Sequence, residues 1–118
     1  MRVGSRERTD PFTTLDGSTI RVLLDAASGG AGNQSLAEAE LAPGDTTQRH
    51  YHARTEEIYV VLEGDGEMEV DGDRERVGPE AAVLIPPGAW HQIAAGDHGI
   101  RFLCCCAPPY SDDDTFFE

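Results

Sequence analysis

The chain has no lysine. All nine of its basic residues are arginine, set against 22 aspartates and glutamates, for a net charge of −13. That balance repels duplex nucleic acid and anionic membranes, so neither is expected as a partner. No apolar run approaches the ~20 residues of a membrane-spanning helix. The opening MRVGSRERTDPF lacks the apolar stretch of a secretory signal, which points to a cytoplasmic protein. Cysteine is confined to one run, Cys104-Cys105-Cys106. Adjacent cysteines make neither a disulfide framework nor the paired spacing of a zinc finger. On a strand, Cys104 and Cys106 would share a face. The run then reads either as small buried packing or as a thiol near a metal or substrate.

Helix signals are scarce too. Thirteen glycines and seven prolines punctuate 118 residues, the rhythm of many short strands in one domain. Strands are expected at 18–25, 34–41, 47–52, 57–63, 66–71, 74–77, 81–86, 90–95 and 100–106. LAEAEL (36–41) alternates with the period of two of a half-buried strand. EGDGE (63–67) and VDGDR (70–74) read as turns, Asp71-Gly72 as a tight hairpin, and the run between 60 and 77 as a three-strand meander. The whole is an all-β sandwich or barrel. Residues 1–17 read as an N-terminal arm, 18–106 as the domain and 107–118 as a C-terminal tail, whose Phe116-Phe117 would pack back on the barrel or on a second subunit.

What is abundant is metal-capable chemistry in one place, HYHARTEE (50–57). On a strand His50 and His52 point to the same face. Glu57 opens the next strand after a short corner, and the parity of Glu57, Tyr59 and Val61 turns Glu57 inward and its rival Glu56 outward. Pro86-Pro87-Gly88 forms a rigid turn that can aim His91 at the same point. His98, in AGDHGI, sits in a turn and reads as exposed.

These spacings resemble the two motifs of the cupin family. Gly44, His50, His52, Glu57 and Gly64 match every position of the first. Gly78, Pro86, Gly88 and His91 match the second, with a longer gap after Gly78 and with Ala95 where the family has asparagine. Flanking strands and tail are similar to those of small single-domain cupins described as mannose-6-phosphate isomerase-like. The resemblance implies a double-stranded β-helix, or jelly roll. It also implies His50, His52, Glu57 and His91 as ligands of one divalent ion, Fe, Mn, Zn, Ni or Cu, and a homodimer assembled through the N-terminal arm and strand 18–25.

Three imidazoles and a carboxylate would leave a divalent ion with open positions, fit for a bidentate oxygen ligand or for oxygen. Strand parity adds Tyr59 as proton donor and Gln48 as orienting group. In the last strand, Phe102 and Cys104 would line an apolar pocket; the opposite face would offer Arg101 instead. An apolar pocket suits an aromatic or polyketide-like small molecule better than a sugar phosphate, which would want arginines or a glycine nest. Three functions follow: a metal-dependent enzyme of dioxygenase type, placed first; a redox-neutral isomerase or cyclase with a Lewis-acid metal; and a non-catalytic ligand-binding cupin.

Overall fold

The computed structural model describes residues 1–118. Nine strands run β1 (Phe12–Thr13), β2 (Thr19–Leu24), β3 (Ser35–Leu41), β4 (His50–His52), β5 (Glu56–Val70), β6 (Asp73–Val77), β7 (Ala82–Ile85), β8 (His91–Ala107) and β9 (Thr115–Phe117). The only helical segments are short 3-10 turns at Arg6–Arg8 and Asp112–Asp114, so no helix is long and apolar enough to cross a membrane. All ladders between the strands are antiparallel, in the order β1-β2-β3-β8-β4-β9, with β5 joining β6, β7 and β8. The sheet curls on itself as the expected all-β jelly roll.

β8 is the spine. Its second half lies between β3 (Ala39 opposite Phe102) and β5 (Tyr59 opposite Cys104), and its first half pairs Ile93 with Met68. Period-two alternation decides what faces in. Along β5, Glu57, Tyr59 and Val61 are buried, whereas Glu56 and Ile58 are exposed. The core gathers Leu41, Val61, Met68, Ile85, Ile93 and Phe102, each under 5 % exposed. Burial at this depth contributes roughly 1.5–3 kcal/mol per large apolar side chain.

The expected turns at 63–67 and 96–99 are corners inside continuous strands. β5 and β8 bend together there, with register shifts at Val61/Glu63 and Gly64/Gly66. Gly64 makes the corner possible: its φ is +78°, and a Cβ would collide with the carbonyl oxygen of Gly99 on the neighbouring strand. Because both strands turn side by side, their hydrogen bonding continues past the bend, and the expected meander reduces to the β5–β6 hairpin. Its turn has Asp71 at φ 48° and Gly72 at φ 91°, as the Asp-Gly pair predicts.

Arm and tail are parts of the sheet. Phe12 pairs with Ile20, and β9 pairs with β4, His52 opposite Thr115. Phe117 packs on the His50 ring at 5.4 Å, and Phe116 stacks on Tyr51 at 5.1 Å. One buried carboxylate anchors the tail. Asp114 accepts hydrogen bonds from the backbone N–H groups of Arg54 (3.1 Å) and Thr55 (3.2 Å), in the corner between β4 and β5. Burial opposes its ionisation, but those two N–H groups and the Arg54 charge outweigh burial and lower its pKa.

Asp114→Ala leaves those N–H groups without their acceptor and is expected to cost about 2–3 kcal/mol at pH 7. The contribution of a carboxyl with a depressed pKa is complete above the unfolded value, ~3.9, and disappears as pH falls through the lower native value. The stability gap between wild type and variant should therefore close on acidification below pH ~4. Urea titrations at pH 7 and at pH 3 measure both effects.

Candidate metal centre

The sheet register assembles the site. His50 of β4 lies directly opposite His91 of β8, and Glu57 of β5 opposite Cys106 of β8. His52 follows His50 on the same face. His50, His52, Glu57 and His91 are each no more than 4 % exposed. The ligand nitrogens of the three histidines lie within 4.8 Å of one another. Glu57 approaches from one side, its Oε1 at 3.2 Å from His52 Nε2 and 3.5 Å from His91 Nε2.

Hydrogen bonding behind the rings fixes what they present in front. His50 Nδ1 faces the Gln48 carbonyl at 2.8 Å and His91 Nδ1 the Ala89 carbonyl at 3.0 Å. A carbonyl only accepts, so both Nδ1 atoms carry the proton. His52 Nδ1 faces Thr115 Oγ1 at 3.1 Å, and that hydroxyl donates its hydrogen to the Ser111 carbonyl at 2.9 Å. Thr115 Oγ1 must therefore accept as well. In the neutral imidazoles all three Nε2 atoms then turn lone pairs into one space, against the Glu57 carboxylate.

Two of these atoms, Glu57 Oε1 and His91 Nε2, are buried with no hydrogen-bond partner. Orphaned acceptors facing each other are unfavourable unless a cation lies between them. Burial, reinforced by the nearby His91, lowers the His50 pKa and favours its neutral, ligating form. Burial by itself would raise the Glu57 carboxyl, but positive charge and N–H donors at His52 and His91, present when those rings are protonated, outweigh it and hold it at about 2; a bound cation would supply the same charge to the neutral rings. Nitrogen and oxygen donors of this type fit a divalent transition ion, with tied-back Nδ1 atoms as metal-binding histidines require.

Beside His50, His52 and Glu57 opens a cavity of about 100 Å³. Phe102 and Cys104 line it, with Phe12, Ile20, Ala39 and Phe117 on the apolar side and Thr14, Asp16, Ser18, Ser35 and Tyr110 among its polar groups. Neither lysine nor arginine reaches it. Tyr59 is on the inner face but not on the cavity wall: its ring packs on Phe102 (4.5 Å) and edge-on to His91 (6.1 Å). Burial raises its pKa well above the ordinary phenol value.

Gln48 departs from the parity expectation. β4 starts only at His50, the residues before it are irregular, and Thr47 faces in while the Gln48 side chain is exposed. Its backbone carbonyl, not its amide, orients His50. Trp90 packs outside, against Tyr51 at 4.7 Å and under Arg49, and His98 is exposed. Arg101 faces outward and pairs with Glu63 and Glu38. Of the cysteines, Cys106 donates its thiol to Glu57 Oε2 at 3.2 Å. Burial and the adjacent Glu57 push that thiol up, so it remains protonated.

The cupin-domain family model matches residues 37–106, which include all four of these groups. The chain belongs to the cupin family. An uncharacterized protein of Methanocaldococcus jannaschii, MJ1618, is 41 % identical over 92 % of this cupin and 88 % of its own length. The dimethylsulfoniopropionate lyase DddW of Ruegeria pomeroyi is 33 % identical over 80 % of this chain and 60 % of that protein. The tetracenomycin polyketide synthase protein TcmJ of Streptomyces glaucescens is 32 % identical over 65 % of this chain, which spans only 52 % of TcmJ. Among solved structures, KdgF from Halomonas superposes with a TM-score of 0.82 over 96 % of this chain and 97 % of its own, at 18 % identity, a likeness of fold.

Asp16 and Thr115 are the site residues that the sequence did not single out. Thr115 acts on the centre only through His52, and Thr115→Val removes the acceptor at nearly constant volume. Affinity for Zn²⁺ is expected to fall about 10–100-fold, and Thr115→Ser to recover most of it; competition with a chromophoric chelator measures both.

Proposed function

We propose that this cupin is a single-ion, metal-dependent enzyme that carries out redox-neutral chemistry on a small neutral molecule of aromatic or polyketide type. The observation that carries the proposal is the set of four inward lone pairs, three of them fixed by tied-back Nδ1 atoms, beside a cavity without a basic side chain. A divalent ion held by His50, His52, Glu57 and His91, whether Fe, Mn, Zn, Ni or Cu, supplies a Lewis acid there. The apolar wall from Phe12 to Phe102 holds a ring and excludes water, leaving the substrate's oxygen atoms directed at the imidazoles.

Asp16 favours redox-neutral chemistry over the dioxygenase placed first from the sequence. It reaches the cavity from the N-terminal arm, and Ser18 fixes its Oδ1 through the backbone N–H (2.9 Å) and the hydroxyl (2.7 Å). An oriented carboxylate beside a carbonyl-binding site can take a proton from the carbon next to that carbonyl, the step shared by isomerases, cyclases and lyases. The lyase DddW and the polyketide synthase protein TcmJ among the relatives support the same direction. Tyr59 buttresses His91 and keeps its ring in place. The proposal includes the homodimer; besides the N-terminal arm and strand 18–25, the outer face of the sheet offers it an apolar pair, Ile58 and Leu84, cross-strand neighbours 37 % and 56 % exposed. Sedimentation at micromolar concentration is expected to give twice the chain mass.

Elemental analysis of protein made without a histidine tag should find about one divalent ion per chain, and His91→Ala should retain under about a tenth of it. The reaction class is read with 2-hydroxyacetophenone, a neutral aromatic hydroxyketone, in D₂O. Its methylene protons are expected to exchange for deuterium in a metal-dependent way, and Asp16→Asn to slow exchange by about 100-fold. Oxygen uptake coupled to loss of the probe would instead establish the oxygenase. Full metal with neither activity would leave the non-catalytic reading.

A further inference from the structure

The two oxygens of Glu57 are not equivalent. Oε1 is buried without a donor and faces the Nε2 atoms of His52 and His91. Oε2 accepts the Cys106 thiol at 3.2 Å. The pairing is built into the sheet: Glu57 and Cys106 are direct cross-strand partners on β5 and β8, both facing in, and Cys106 is 2 % exposed. The last cysteine of the run is therefore neither simple packing nor one of the groups that converge with the histidines. It stands behind the carboxylate.

A carboxylate beside an ion can bind through one oxygen or through both. With both, it fills two coordination positions, and one fewer is left for a substrate. We propose that Cys106 is a positioning residue: its S–H holds Oε2 back, reserves Oε1 for the ion, and so keeps open a coordination position that a freely rotating carboxylate would close. This rests on the metal-binding reading above. It goes further in assigning the number of open positions to one thiol. Serine can supply the same hydrogen bond from a similar place, while valine fills the space without a donor.

The test uses the Co²⁺ form of the full chain and azide as the probe of an open position, both followed in the visible spectrum. Wild type and Cys106→Ser are expected to bind Co²⁺ with similar spectra and to take up azide. Cys106→Ala is expected to show a changed Co²⁺ spectrum and azide binding weakened about tenfold or more. If the alanine variant does not fold, Cys106→Val is read in its place. An alanine or valine variant with the Co²⁺ spectrum and azide affinity of wild type overturns the inference and leaves the metal site standing. A wild type that retains no Co²⁺ overturns both.

Discussion

Three imidazole lone pairs and a carboxylate point at one another inside the barrel, on residues no more than 4 % exposed. Each buried acceptor left without a partner costs roughly 1–3 kcal/mol, and Glu57 Oε1 and His91 Nε2 are in that state. Rotation of the rings does not relieve the conflict, because each Nδ1 is already bonded to oxygen on the far side. A cation between the groups does relieve it, and it then links strands far apart in the chain, His52 of β4 to His91 of β8 with Glu57 of β5 between them. Binding free energy at such a centre is also folding free energy. Site and fold are thus coupled by the same repulsion.

That coupling gives the C-terminal segment its purpose. Asp114 pins the corner before β5, and the next residue, Thr115, supplies the acceptor behind His52. Tyr110 is tied through its backbone N–H to Ser35 at 2.9 Å, and Thr55 donates to the Pro108 carbonyl at 3.0 Å. The segment therefore closes over the open edge of β4 and contributes Tyr110, Thr115 and Phe117 to the cavity. At the other end of the chain, Asp16 is held against the same region, since its carbonyl accepts from the Gln48 N–H at 2.8 Å and Gln48 in turn orients His50. Both termini support histidines that the central strands carry.

The parts of this arrangement that were legible in the sequence are those governed by local rules. Period-two alternation put His50 with His52 and turned Glu57 and Tyr59 inward, and the Pro86-Pro87-Gly88 turn aimed His91, because each depends only on neighbours in the chain. Parity failed at Gln48, where it was carried back past the first regular residue of β4. Glycine-rich EGDGE and AGDHGI read as turns because local composition cannot tell a reversal from a bend taken by two strands together; the neighbour of Gly64 that matters is Gly99, 35 residues away. The three residues of β9 gave too short a pattern to weigh against the prolines before them. Thr115, Asp16 and the Cys106–Glu57 pair become functional only through contacts of long sequence separation.

Charge sets the last constraint, on what can enter. The chain carries −13, and the lining of its cavity includes Asp16 and Asp25 but no arginine. An anionic group approaching the histidines crosses a field of its own sign, weakly screened because a partly enclosed cavity admits little salt. A bound divalent ion would then be the only cationic feature inside, and half of its charge would already be balanced by Glu57. A phosphate would find one partner where it needs several. A neutral molecule with two adjacent oxygens, as proposed, would meet no such barrier, would bury its apolar part against Phe12, Phe102 and Phe117, and could give a proton to Asp16. Within a fold that serves many chemistries, the proposed combination of a single positive centre with aspartates in a largely apolar lining would be what narrows the substrate.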